Sequence, residues 1–134
     1  MNSLFIDCSF GVSGDMLLAA LLDLGVPIEV IHKPLDLLGL ASAYSIRVEE
    51  AKSFDIRGVR IAVLDRELNL LSKRWVDIRK LILNSDLNDS LKNKVLNVFE
   101  KLALAEASVH GIDVEKVHFH EVASIDSFID ITGV

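Results

Sequence analysis

The first third of the chain consists of short apolar runs separated by turn residues. Residues 4–7 are apolar up to an aspartate, which predicts a short strand buried on both faces. Residues 15–24 are apolar almost all round, which predicts a buried helix, and Gly25 suits the left-handed position that ends it. Pro27 is predicted to open the next helix, in which Pro34 predicts a kink or a division into two short helices.

Two later stretches alternate apolar and polar residues with the period of a half-buried strand. They cover residues 44–49 and 59–63 and predict an antiparallel hairpin with a loose loop over residues 53–58. From Trp75 the period becomes helical, and Asn88 is the predicted N-cap of a long helix that ends at His110-Gly111. The apolar stripe predicted for this helix consists of Leu91, Val95, Val98, Leu102, Ala105 and Val109.

The end of the chain is predicted to be a short extended piece over residues 117–120, followed by a last helix. That helix has an apolar face made of Ile125, Phe128 and Ile129. Together the elements predict an α/β fold in one domain, residues 1–134, with a small mixed sheet that includes the hairpin and with helices mainly on one sheet face. The tryptophan and the phenylalanines are predicted to lie in the core or at an interface.

The charge balance narrows the class of partner. The 134 residues include 14 basic and 20 acidic side chains, a net charge of −6, and no run of Lys or Arg. This argues against a nucleic acid or an anionic membrane as the main partner. Cys8, the single cysteine, cannot form an internal disulfide and is expected to be a small buried side chain. Since no signal peptide is readable and no apolar run reaches about 20 residues, we expect a cytoplasmic protein.

A turn with two glycines joins the first predicted strand to the first predicted helix. Its candidate binding residues are Gly11, Ser13, Gly14 and Asp15, because a helix that follows such a turn directs free backbone N–H groups at an anion. Asp7 and Asp15 flank the turn and could hold a divalent cation that accompanies a nucleotide. The same residues fit an ordinary turn, with Ser13 as the helix cap and Asp15 favoured by the helix dipole.

The second candidate site lies near the end of the chain. Three of the four histidines fall in one short window that continues with carboxylates: His110, His118, His120, Glu121, Asp126 and Asp130. An extended backbone would place the imidazoles of His118 and His120 on one face, and the i, i+4 spacing would place Asp126 and Asp130 on one helix face. Two imidazoles with carboxylates suit zinc, nickel, iron or manganese. In the alternative, the histidines are ordinary satisfied side chains and Asp126 caps the last helix.

These motifs resemble the N-terminal domain of the nickel-pincer cofactor nickel insertion proteins, the maturation factors for nickel enzymes of the lactate racemase type. The similar stretches follow one another in order along the chain: FIDC (5–8), GVSGDM (11–16), ALLDLG (20–25), DIRKLI (77–82), AEASVHG (105–111), VHFHEV (117–122), DS (126–127) and DI (130–131). The resemblance implies insertion of nickel into a pyridinium-3,5-bisthiocarboxylic acid mononucleotide. It also implies use of CTP with manganese or magnesium, and a requirement for the family's C-terminal domain, which residues 1–134 lack.

The resemblance marks positions, to which we assign roles as a hypothesis. Nucleotide binding is assigned to Gly11, Ser13, Gly14 and Asp15. Metal binding is assigned to Asp7, His118, His120 and Asp130. Glu121 and Asp126 are assigned catalytic roles, since a carboxylate could accept the proton that the ring carbon loses when it bonds to nickel.

The chain also departs from the family pattern. Residues 65–75 lack the histidine-rich tract of many members, Ser9-Phe10 replaces Phe-Ser, and Ala123 replaces a glycine. These departures motivate an alternative, a non-catalytic fragment that binds a metal or a partner. A third hypothesis is a metal-dependent phosphohydrolase that uses Asp7, Asp15 and the histidines. A last helix cut short at residue 134 would expose its apolar face, from which self-association into a homo-oligomer is expected.

Overall fold

The computed structural model describes residues 3–66 and 71–134 and confirms an α/β fold. The elements are α1 (Gly14–Asp23), α2 (Glu29–Leu37), β1 (Tyr44–Ser53), β2 (Ile56–Asp65), α3 (Trp75–Leu83), α4 (Asp89–His110) and α5 (Ile125–Gly133), with a short 3-10 turn at Val114–Lys116. Part of the tract 65–75, noted above for its lack of histidines, lies outside the described residues. No helix within the described ranges is both long enough and apolar enough to cross a bilayer.

The predicted hairpin is confirmed, but its turn is tight. β1 and β2 pair antiparallel from Tyr44 opposite Asp65 to Ser53 opposite Ile56. Only Phe54 and Asp55 connect them, with φ of 48° and 63°, as a two-residue turn of type I′ requires. The predicted loose loop over residues 53–58 is therefore wrong. Backbone pairing continues beyond the alternating side chains, because the ladder needs only peptide groups in register.

The predicted strand over residues 4–7 is also wrong. Leu4, Phe5 and Ile6 are 58%, 90% and 52% exposed, and the segment belongs to no strand. A strand needs a neighbour for its backbone hydrogen bonds, and in the described part of the chain the sheet consists of β1 and β2 alone. Cys8 follows this segment and is exposed rather than buried.

α1 ends as predicted but is buried on one side only. Gly25 has φ +93°, and the N–H of Val26 donates to the carbonyl of Leu21 at 3.0 Å, the pattern of a Schellman cap. Only Leu18 and Ala19 are fully buried in this helix. The prediction of burial all round is wrong, because only one face of α1 packs against β2 and α5.

α2 runs through Pro34 as one helix, so the predicted division into two helices is wrong. The helix begins at Glu29 rather than at Pro27. Proline removes one hydrogen bond from a helix. Burial of Ile31 and Leu35, which are 3% and 0% exposed, offsets that loss.

α4 has the predicted ends and a different buried stripe. The Asn88 side chain accepts a hydrogen bond from the N–H of Leu91 at 3.0 Å, and Gly111 follows the helix with φ +63°. The buried residues are Val95, Phe99, Ala103 and Ala107, whereas Val98, Ala105 and Val109 of the predicted stripe are exposed. The buried spacing is a strict i, i+4 series, and its two alanines let neighbouring elements approach α4 closely.

The hydrophobic core draws on every helix, and one of its contacts joins α4 to α5. The ring centroids of Phe99 and Phe128 are 4.8 Å apart, and both side chains are fully buried. Ile125 and Ile129 are buried as well, so the apolar face of α5 is covered within this chain rather than offered for self-association. Four of the aromatic residues lie in the core as predicted, Trp75, Phe99, Phe119 and Phe128. Phe5, Phe10 and Phe54 are exposed, so for them a place at an interface stays a prediction.

Replacing a core phenylalanine and an exposed phenylalanine with alanine tests whether the two side chains contribute to stability as their burial predicts. Phe99→Ala is expected to lower the free energy of unfolding by about 3–5 kcal/mol, since it leaves a cavity between α4 and α5. Phe5→Ala, the matched control, is expected to change it by less than about 0.5 kcal/mol. Urea denaturation followed by circular dichroism measures both. A large loss for Phe5→Ala would mean that residues 4–7 are packed, contrary to the structure.

Candidate functional site

The segment after α4 presents two histidines from an anchored backbone. Val117 and Phe119 are each 1% exposed, while His118 and His120 between and after them face outward. The N–H of Phe119 donates to the carbonyl of Lys73 at 2.8 Å, and the N–H of Trp75 donates to the carbonyl of Val117 at 3.1 Å. The prediction that residues 117–120 are extended, with both imidazoles on one face, is confirmed.

A second pair of side chains meets these histidines from the last turn of α4. We call Glu106, His110, His118 and His120 the histidine cluster. Glu106 Oε1 lies 3.1 Å from His120 Nδ1 and 3.4 Å from His110 Nε2. The ring centroids of His110 and His120 are 5.4 Å apart, and those of His118 and His120 are 6.4 Å apart. Three histidines and one carboxylate thus share one patch of surface.

Two members of this cluster were not predicted from the sequence to be metal ligands. Glu106 is absent from the candidate site residues, and His110 belongs to the histidine window but not to the predicted metal ligands. Their i, i+4 spacing on a predicted helix, just before the extended histidine pair, is a signal that could have found them. Among the described residues, Glu106, His110 and His120 are the group of three metal-type side chains whose donor atoms all lie within 4.8 Å of one another.

A separate cluster of aspartates forms where α1 meets α5. We call Asp15, Asp126 and Asp130 the aspartate cluster. Burial raises the pKa of Asp130 to about 6, and the charges of Asp126 and Asp15 add to the effect. The Oδ1 atom of Asp130 is buried and has no hydrogen-bond partner within the described residues. A buried carboxylate oxygen without a donor is costly, so this atom is a candidate ligand for a cation.

Gly14 allows this cluster to form. A Cβ atom placed on Gly14 would lie 2.4 Å from Cγ of Asp130, closer than carbon atoms approach one another. The backbone of Gly14 is not in the left-handed region, so the close approach, and not the φ angle, is what requires glycine. The first turn of α1 therefore packs directly against the Asp130 carboxyl.

The turn before α1 is only partly the one predicted. Ser13 occupies the N-cap position, but its side chain makes no capping bond and instead donates to the carboxylate of Asp15. Asp7 accepts hydrogen bonds from the backbone and side chain of Ser9, which hold its pKa below the usual value. Gly11 has φ +87°, so its place in the turn favours glycine.

The structure does not bring the predicted site residues together in one place. His118 and His120 lie in the histidine cluster, while Gly14, Asp15, Asp126 and Asp130 lie where α1 meets α5. Of the four predicted metal ligands, His120 alone belongs to the convergent group of Glu106, His110 and His120, and Asp7, His118 and Asp130 do not. Glu121 is exposed in the turn after His120.

Two further expectations about α5 can be compared with its first turn. Ser124 caps α5 by accepting from the N–H of Ser127 at 3.3 Å, so the alternative that Asp126 caps the helix is wrong. Ala123, which replaces a glycine of the family pattern, is buried and has no positive φ. Alanine is therefore not strained by its backbone conformation at this position.

The carboxyl of Asp130 predicts a specific pH dependence of stability. Since its pKa in the folded state is about 6, above 3.8, its contribution to stability is present below about pH 4 and is lost as the pH rises through 6. Asp130→Asn is expected to remove this loss, roughly 1 kcal/mol after allowance for solvent screening. Thermal denaturation at about pH 4 and pH 7 in a chelator measures it, with the exposed Asp86→Asn as the matched control. Parallel pH profiles for wild type and Asp130→Asn would contradict this prediction.

Comparison with known proteins identifies the family. The model of the nickel insertion protein family matches residues 4–134. The pyridinium-3,5-bisthiocarboxylic acid mononucleotide nickel insertion protein of Akkermansia muciniphila is 44% identical over 140 residues, covering 99% of this chain and 34% of the relative. The protein of the same name from Clostridium kluyveri is 41% identical over 144 residues, covering 99% of this chain and 36% of the relative. The chain spans about a third of the length of these curated relatives. No solved structure matches it. The chain belongs to the nickel insertion protein family.

Proposed function

We propose that the chain takes part in inserting nickel into pyridinium-3,5-bisthiocarboxylic acid mononucleotide, the reaction for which its relatives are named. The observation that supports this most directly is the exposed histidine cluster, because imidazole nitrogens suit nickel. Nickel is here a substrate that passes through the site. The product is the nickel-pincer cofactor, which serves nickel enzymes of the lactate racemase type.

The two clusters support separate binding sites for two different metals. Of the four proposed metal ligands, His118 and His120 lie in the histidine cluster and offer nitrogen donors. Asp130 lies in the aspartate cluster and offers oxygen. Asp7 is held by Ser9 near the turn. Nickel suits the nitrogen donors, whereas the oxygen donors suit manganese or magnesium.

The aspartate cluster fits a hard divalent cation that accompanies CTP. Asp15 and Asp130 offer carboxylate oxygens at the start of α1, and the Oδ1 atom of Asp130, beside Gly14, has no hydrogen-bond partner within the described residues. Manganese or magnesium bound there would supply positive charge for the phosphates of CTP. Gly11, Ser13, Gly14 and Asp15 are the proposed nucleotide-binding residues, with backbone N–H groups at the start of α1 facing the anion.

Glu121 and Asp126 are the proposed proton acceptors. A bond between nickel and the ring carbon requires that the carbon lose its proton, and a carboxylate near the metal can take it. Glu121 is exposed and follows His120 directly in the sequence, which supports this role. Asp126 is exposed in the first turn of α5, in the aspartate cluster, so of the two carboxylates only Glu121 adjoins a proposed nickel ligand in sequence.

The alternative is that the chain binds a metal or a partner without turnover. The chain matches only about a third of each relative, so the rest of the relative's chain is the proposed partner for turnover. Nucleic acid and membranes are not proposed as partners, in view of the net charge of −6.

A chimaera tests this function. The part of the Clostridium kluyveri relative to which this chain aligns is replaced by residues 1–134, and nickel transfer to the mononucleotide is measured by mass spectrometry with CTP and manganese. Transfer is expected, with a decrease of at least about tenfold for Glu121→Gln and for Asp126→Asn. Glu100→Gln, which removes one negative charge from α4 instead, is expected to match the wild type.

Other outcomes separate the hypotheses. A folded chimaera that binds nickel but transfers none would contradict the proposal and support the non-catalytic alternative. Release of phosphate from a phosphomonoester by residues 1–134 alone, unchanged after nickel is removed, would support a phosphohydrolase instead.

A further inference from the structure

The Glu106 carboxylate is shared by two imidazoles in a geometry close to that of a metal chelate. Two ligand atoms about 2.0–2.1 Å from one ion, at angles of about 90–109°, lie roughly 2.9–3.4 Å apart. The distances from Glu106 Oε1 to His120 Nδ1 and to His110 Nε2 are 3.1 and 3.4 Å. Both pairs therefore already have the spacing of neighbouring ligands.

We propose that Glu106, His110 and His120 form a three-ligand site for a borderline divalent ion, in the first instance Ni²⁺. The ligand atoms are Glu106 Oε1, His110 Nε2 and His120 Nδ1, which all lie within 4.8 Å of one another. This site differs from the set of Asp7, His118, His120 and Asp130 and shares only His120 with it. Its identification as the point of nickel entry depends on the proposed function, whereas the chelation itself does not.

The three ligands stand on elements that the core fixes in place. Glu106 and His110 lie one turn apart on α4, on either side of Ala107, which is 8% exposed. His120 follows Phe119, whose ring is buried and whose N–H donates to Lys73. The Lys73 ammonium also donates to the carbonyl of His120 at 3.2 Å. Ligands held by packed backbone lose little entropy when they bind an ion.

Metal binding exchanges one surface hydrogen bond for a bond to the ion. The hydrogen bond between His120 and Glu106 Oε1 places the hydrogen on Nδ1, and a neutral imidazole can bind an ion through Nδ1 as its other tautomer, with the hydrogen on Nε2. The His120 side chain is 69% exposed and can rotate to close the remaining distance to His110. The exchange costs no buried contact, because the ring lies at the surface.

The site leaves room for the reaction partner. Three protein ligands leave coordination positions open, as at catalytic metal sites. One carboxylate and two neutral imidazoles leave a bound divalent ion with a net charge of +1, which suits an anionic sulfur ligand. His118, whose ring centroid is 6.4 Å from that of His120, is a further nitrogen donor on the same surface.

Calorimetric titration of the 134-residue chain with NiCl₂ tests the site. One Ni²⁺ per chain is expected, with affinity lowered at least about tenfold in Glu106→Gln and in His110→Asn. The matched control, Glu100→Gln, loses the same charge on the same helix and is expected to bind like the wild type. Asp7→Asn and Asp130→Asn are also expected to keep the wild-type affinity, which separates this site from the other ligand set.

A second measurement reports on the ligands directly. Paramagnetic Ni²⁺ is expected to broaden the imidazole NMR signals of His110 and His120 at substoichiometric concentration. His32, which lies on α2 and whose Nδ1 pairs with the Tyr44 hydroxyl at 2.7 Å, is the control histidine, and its signals are expected to remain sharp. Circular dichroism checks that each variant is folded. Should His110→Asn fail to fold, Glu106→Gln and the broadening pattern decide.

The proposal is overturned if the wild type binds no stoichiometric Ni²⁺, or if Glu106→Gln and His110→Asn bind it as tightly as Glu100→Gln. These titrations contain no mononucleotide, so they are independent of the proposed function. Intact Ni²⁺ binding without transfer in the chimaera contradicts the function and leaves the site. Transfer without Ni²⁺ binding at Glu106, His110 and His120 contradicts the site and leaves the function.

Discussion

The geometry of the histidine cluster depends on the burial of Phe119. In an extended backbone, neighbouring side chains point in opposite directions, so burying Val117 and Phe119 turns His118 and His120 outward. The backbone bond from Phe119 to Lys73 holds the segment against the start of α3. The same core receives the buried stripe of α4, which brings Glu106 and His110 to the same patch of surface. Hydrophobic packing therefore sets the geometry of a polar site.

The aspartate cluster depends on a different constraint, the close approach of two backbones. α1 can lie against Asp130 only because residue 14 has no Cβ. The packing removes water from one carboxylate oxygen and keeps two further negative charges nearby, which raises the pKa of Asp130. Such a site favours either a proton or a cation, because each neutralises charge that the fold has concentrated. The two clusters thus offer different ligand chemistry, nitrogen with one carboxylate in the first and oxygen alone in the second.

The features that sequence predicted well are those in which the deciding contact is local. The Asn88 cap, the glycines after α1 and α4, and the outward pair His118 and His120 all follow from bonds or periods within a few residues. The strand over residues 4–7 failed because an apolar run cannot reveal whether a distant strand pairs with it. Glu106 was missed because its partner His120 is 14 residues away, across a turn whose path depends on the core. The contact between Gly14 and Asp130 joins opposite ends of the chain, and no local pattern predicts it.

α4 carries both a buried stripe and two residues of the histidine cluster. The geometry of the cluster therefore depends on how α4 is rotated about its axis. Phe99 and Ala103 fix how the helix is rotated against the core, and Glu106 and His110 inherit that rotation. Inserting or deleting one residue between Ala103 and Glu106 would turn the pair by about 100° relative to the buried stripe. His120, held by a separate segment, would not follow. The geometry of the proposed metal site therefore depends on the number of residues in this stretch of α4 as well as on the identity of the ligands.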